Sequence, residues 1–263
     1  VETSDFDTDG GLEFVGCTFT SFIFAPSVDL NGKHLQFRGT TSFVGGITFE
    51  VAVTNFKLSI ADVWTIGSGT GYTGESLTFA NAVSSTQIIL SGTGTVFLRP
   101  STSATVTPDA FRFRGSTDQV TIDGSAITKL TIIGTSNSIE PPMKVFAFDT
   151  AAEKLNVTLR NVAFSTVTRS SVLFLDFARG GNGEVSLHDS SLSLASNAGI
   201  IGIMSCIDDA NYLCEFALKM HRTQLVLNAR GHVRVMDNQC QPSRRLRNPT
   251  LTITESSIDS ASR

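Results

Sequence analysis

Asp5, Asp7, Asp9 and Glu13 stand at spacings that suit a hard cation. The run Asp5-Phe6-Asp7-Thr8-Asp9-Gly10 sets carboxylates at alternate positions and then a Gly. Ca2+ takes such oxygen ligands on a loop that turns sharply. The twelve-residue form of this loop needs Glu in its last place, where Gly16 stands, so that form fails. The shorter form, with an acid at its ninth place, fits better and ends on Glu13. Against it, Glu13 lies between Leu12 and Phe14 on an expected strand, and a solvated acidic terminus reads equally well. Calcium is the one cofactor the sequence suggests; none is otherwise expected.

Other reactive residues give weaker signals. His188 and His221 occupy the same place in adjacent copies of a repeat, with Arg160 and Thr254 on either side. Strands about 4.8 Å apart would make them neighbours on an outer ladder. Two histidines fall short of the ligand number a metal needs. Four cysteines do not form an even framework. Cys17 is expected to be a free core thiol, too distant for Cys240 to reach. Cys206 would pair with Cys240, about one turn away, or alternatively with Cys214 across a short loop. Asn156-Val157-Thr158 is a glycosylation sequon whose Asn would face outwards between Leu155 and Val157. Arg244, Arg245 and Arg247 form the one basic cluster, read first as a solvated loop.

The elements that must position these residues come from a short recurring unit. It runs apolar, any, apolar, two turn-like residues, small, any, apolar. It is read from Leu12, Phe56, Val120, Val157, Val185, Leu218 and Leu251, with looser copies at Leu35 and Leu77. A missed copy is expected near Val96-Phe97-Leu98. A unit this short cannot bury its own apolar face, so copies must stack. Residues one and three share a face, as strand alternation requires. The fifth place holds Gly16, Gly39, Asn81, Gly124, Asn161 and Asp189, residue types that tolerate a left-handed backbone. The copies with Ile60, Arg222 and Glu255 break that rule, so their corners are expected to differ. Thr18, Thr41, Thr78, Thr121, Thr158 and Thr252 are candidates for outward positions.

This pattern resembles the pectate-lyase-like superfamily of right-handed parallel β-helices, over nearly the whole chain. The resemblance implies an all-β solenoid of about ten coils, tight in the first half and with loops enlarged in the C-terminal half. Residues 1–263 would form a single segment of a longer protein or an assembly. The wording Val157-Thr158-Leu159-Arg160-Asn161-Val162 and Val185-Ser186-Leu187-His188-Asp189 also resembles the large β-helical surface proteins of kinetoplastid protozoa, the dispersed gene family. Asp208-Asp209, with Gly231-His232 a coil later, is similar to the acid pair and His of polygalacturonases. Inverting glycosidases place two carboxyls about the scissile bond. The Asn-Thr-Asp and Arg-x-Lys patterns that should accompany them are missing.

Composition narrows the function. The net charge of −4 and the lack of a basic stripe speak against nucleic acid. No run approaches the ~20 apolar residues of a membrane helix. The chain opens at Val1 without a signal peptide, as a mature or excised piece would. Phe occurs 19 times, Tyr twice and Trp once, and Phe suits a dry core better than a sugar groove. The expectation is a non-enzymatic extracellular or cell-surface module, a stalk, coat element, adhesin or filament subunit. It would meet neighbouring β-helix segments or its own copies end to end, and glycans or surface proteins. The alternative is a β-helical polysaccharide hydrolase or lyase.

Overall fold

Alternating apolar residues make strands here because each inward side chain finds the same kind of residue one turn above and below. The computed structural model describes residues 5–7, 9–69, 74–98, 109–136, 143–168, 172–196, 201–207, 214–229, 233–239 and 250–260. Strands of three sheets, with twelve, nine and eight members, account for its regular structure. Gly11–Val15 joins the twelve-stranded sheet, Thr18–Phe19 the nine-stranded and Phe22–Phe24 the eight-stranded. His34–Arg38, Thr40–Phe43 and Ile47–Phe49 repeat the circuit, and the rotation continues through Ser257–Ser260. Each strand pairs in parallel with strands of its own sheet in the circuits before and after. The result is all-β, with stacked parallel strands compatible with a β-helix.

The interior is one apolar cluster. Leu12, Leu35, Leu58, Ile88, Ile122, Val157, Val185, Leu218 and Leu251 follow one another in register on the twelve-stranded sheet. The unit read from Leu12, Leu35, Val157, Val185, Leu218 and Leu251 is therefore in register. The copies read from Phe56 and Val120 begin two residues early, because a shift of two keeps the same side chains inward. The Leu77 copy lies on the eight-stranded sheet and Val96-Phe97-Leu98 on the nine-stranded one. Circuits lengthen already after Leu58 rather than only in the second half.

The corners are more uniform than the sequence suggests. Gly16, Gly39, Asp62, Gly92, Asn161, Asp189, Arg222 and Glu255 all have positive φ between the twelve- and nine-stranded sheets. Arg222 and Glu255 thus adopt the common left-handed corner (φ 45° and 50°), contrary to expectation. Asp62, not Ile60, takes the corner of its circuit, and Asn81 and Gly124 do not share that conformation. The small residues just after the later corners lock them. Ser190 Oγ donates to His188 O at 2.7 Å and accepts from Val162 N at 3.3 Å, while Ser256 Oγ accepts from Thr223 N at 3.0 Å.

Candidate functional site

Alternation in Phe111-Arg112-Phe113-Arg114 buries both phenyl rings and turns the arginines out. Arg112 lies opposite Thr78 on one neighbouring strand and Ala147 on the other, and Ala147 lies opposite Asp176. The outer side of the eight-stranded sheet thereby gathers a charged cluster from successive circuits. Arg112 Nη1 meets Glu75 Oε1 at 2.7 Å, and its Nε and Nη2 meet Asp149 Oδ2 at 2.9 Å. Arg114 Nη2 reaches the same Glu75 oxygen at 2.7 Å, and Thr78 Oγ1 donates to Glu75 Oε2 at 2.8 Å. Lys144 Nζ holds Asp176 Oδ2 at 2.6 Å. Asp109 Oδ2 stands 3.6 Å from Arg112 Nη1.

Two carboxylates of the cluster are shielded from water, while Arg114 at its rim is half-exposed. The Asp109 side chain is 5% exposed and that of Asp176 9%. Burial pushes the Asp109 carboxyl up to about 7, against the pull of Lys144 and Arg112. Burial also works against the Glu75 anion, yet hydrogen bonds from Arg114 and Thr78 and the charge of Arg112 hold it below the usual range. For Arg112, hydrogen bonding to Asp149 and the nearby carboxylates outweigh burial and raise its pKa. A carboxyl that titrates near neutrality can both give and take a proton, which is the property general acid–base chemistry uses.

The expected sites are dispersed. Asp7 Oδ1 accepts from the backbone N–H of Asp9 at 3.0 Å and of Gly11 at 2.6 Å, so it caps its own turn. Glu13 forms a two-pronged pair with Arg38, at 2.5 and 2.9 Å, which holds its carboxyl below the usual range. Among the described residues no group of three His, Cys, Asp or Glu is placed to hold a metal.

His188 and His221 are neighbours as the repeat implies, their rings 5.9 Å apart, with Arg160 and Thr254 above and below. Asp189 joins this edge through Arg222 at 2.6 and 3.1 Å. Cys17 is a free thiol but half-buried, not a core residue. Cys214 is buried and disulfide-bonded. The Cys206 side chain and Cys240 lie outside the described residues, as do Asp208, Asp209, His232, Arg244, Arg245 and Arg247.

Asn156 is exposed in the strand Ala152–Arg160. Thr41 is buried rather than outward, and its Oγ1 donates to Arg38 O at 3.0 Å; Thr78 faces outward as expected but is covered by the charged cluster.

Sequence reasoning missed the cluster around Arg112. Its local signal is the Phe-Arg-Phe-Arg alternation. Its partners come from other circuits, and their register depends on loops of unequal length. No protein-family model matches the chain, nor does any curated protein or solved structure.

Proposed function

We propose that this chain is a non-enzymatic β-helix module of an extracellular or cell-surface protein, acting as a stiff spacer with an adhesive face. In this reading the helix is right-handed with about ten coils, and it meets neighbouring segments or copies along its axis. The observation that carries the reading is the distribution of charge. Glu13–Arg38, Glu75–Arg112, Asp176–Lys144, Glu184–Lys219 and Asp189–Arg222 each join neighbouring circuits. These charges hold turn to turn along the twelve- and eight-stranded sheets.

The strands of the nine-stranded sheet contain only two charged residues, Lys129 and Asp259. Thr18, Ser42, Thr65, Thr95 and Thr131 follow one another along that sheet in register. Thr65 Oγ1 donates to Ser42 Oγ at 2.9 Å, and Val63 and Ile133 are exposed on the same strands. A nearly uncharged face of hydroxyl and methyl groups suits contact with a neutral glycan or another such face.

The second reading, a polysaccharide hydrolase or lyase, is favoured by the shielded acid Asp109 beside Arg112 and Lys144. One experiment separates the two. The protein is applied to immobilised neutral and acidic polysaccharides, and the supernatant is assayed for new reducing ends. Retention that Thr65→Arg with Thr95→Arg abolishes, without new ends, supports the adhesive module. Absence of retention on every surface removes the adhesive role. Release of ends that Asp109→Asn stops overturns the proposal in favour of the enzyme.

A further inference from the structure

We propose that Asp109 is a proton-operated latch within the charged cluster of the eight-stranded sheet. Protonated, it lets Arg112 bind Glu75 and Asp149 and so tie three successive circuits together. Ionised, it draws Arg112 away and loosens that tie. The inference rests on the cluster alone and does not depend on the proposed function.

Among the described residues the cluster is short of positive charge. Glu75, Asp109, Asp149 and Asp176 face Arg112, Arg114 and Lys144. Glu75, Asp149 and Asp176 each have a cation at hydrogen-bond distance, between 2.6 and 2.9 Å. Asp109 feels Lys144 and Arg112, but among the described ion pairs its one contact is Arg112 at 3.6 Å, and it is the most buried of the four. The groups that face it are Glu75, before the strand Leu77–Phe79; Arg112, on its own strand; and Lys144 and Asp149, on and just after Met143–Phe148. Counted over the described residues, full ionisation would leave one surplus negative charge, on a carboxyl that is itself buried. An unpaired buried charge is costly, and the group takes a proton instead. The fourth carboxylate of the cluster is therefore neutralised by a proton that bulk pH controls.

The sign follows from the shift. The ordinary Asp value is 3.8 and that of Asp109 in the fold is about 7. A raised carboxyl pKa means the folded chain holds a proton that the unfolded chain has released. The associated stability is complete below 3.8 and is lost as pH rises through about 7. Glu13, Glu75, Glu184 and Asp189 are shifted the other way, so their effects are confined to more acid pH.

The test is thermal unfolding of the full chain and of Asp109→Asn, which mimics the protonated acid, followed by circular dichroism from pH 5 to pH 8.5. The wild-type midpoint is expected to fall by several degrees relative to the variant over that range. Parallel midpoints would overturn the latch. A carboxyl 13C titration of the wild type, assigned through its own bonds, needs no variant. A titration midpoint near neutrality supports the latch, and one at the ordinary Asp value refutes it.

Discussion

A Cβ built on Gly94 would lie 2.2 Å from Trp64 Cζ2. The indole is buried, 1% exposed, and its Nε1 donates to Ser91 O at 2.9 Å. The largest side chain of the core therefore needs its neighbour in the next circuit to have no side chain at all. Gly94→Ala is expected to destabilise the fold by ~1–3 kcal/mol, the usual cost of overpacking. Adding Trp64→Leu should restore part of the loss, and urea titration of the three variants reads both effects. His34 gives a pH effect of opposite sense to Asp109. Burial, with Lys57 nearby, lowers its pKa below the ordinary 6.5, and its Nε2 lies 3.1 Å from Ser59 Oγ. The unfolded chain takes up the proton first, so stability falls as pH drops below 6.5 through the lower folded value. His34→Gln should flatten that decline in a melting series from pH 7.5 to pH 5.

At the scale of the strand and its corner, the backbone repeats more faithfully than the residues that make it. Asn55, Ser85, Gln119 and Lys154 all have φ near +50° where strands of the twelve-stranded sheet bend. Asn55 N donates to Ser84 O, Ser85 N to Asp118 O and Gln119 N to Glu153 O, all at 3.0–3.1 Å, so the bends stack. A left-handed residue with a Cβ costs ~1–2 kcal/mol, and a β-branched one is crowded further. Gln119→Val is expected to be less stable than Gln119→Gly by at least ~1–2 kcal/mol, read as separate midpoints in denaturant.

This bend was not legible in the sequence, because Ser, Gln and Lys do not announce positive φ. The corner at Asn161 and Asp189 was legible, because Asn and Asp do. Most strand faces were legible, since alternation decides which side chains turn inward, but Thr41 was placed on the wrong side. Register was legible at Leu12 and Leu35 and from Val157 onward. Between them, copies read from Phe56 and Val120 slipped by two residues without changing face, and Leu77 carried the same apolar alternation on another sheet. The cluster at Arg112 stayed hidden for a related reason. Glu75, Arg112 and Asp149 meet only once three circuits of different length are wound into place.

For the whole molecule, a column of phenyl rings runs through most of the circuits. Phe24, Phe49, Phe79, Phe113, Phe148, Phe177 and Phe216 follow one another at centroid distances of 5.0, 4.6, 5.1, 4.8, 4.9 and 3.9 Å, with interplanar angles of 19° or less. Rings stacked in this way fill the interior behind the eight-stranded sheet and need no polar partner, which accounts for the bias towards Phe over Tyr. Within the column each ring stacks on the one before and the one after, while Phe24 also meets Phe22 and Phe49 also meets Phe56 edge to face. A stacked array of this kind gains stability from neighbour to neighbour, so damage should stay local before it spreads. Phe79→Ala opens a cavity mid-column and is expected to cost ~3–5 kcal/mol. Hydrogen exchange should show Ile47–Phe49 and Phe111–Phe113 losing protection first, because they flank the gap. Cys214–His221, several circuits away, should keep its protection under the same conditions. Equal loss at both places would mean that the circuits unfold as one cooperative unit and that the column transmits rather than contains the defect.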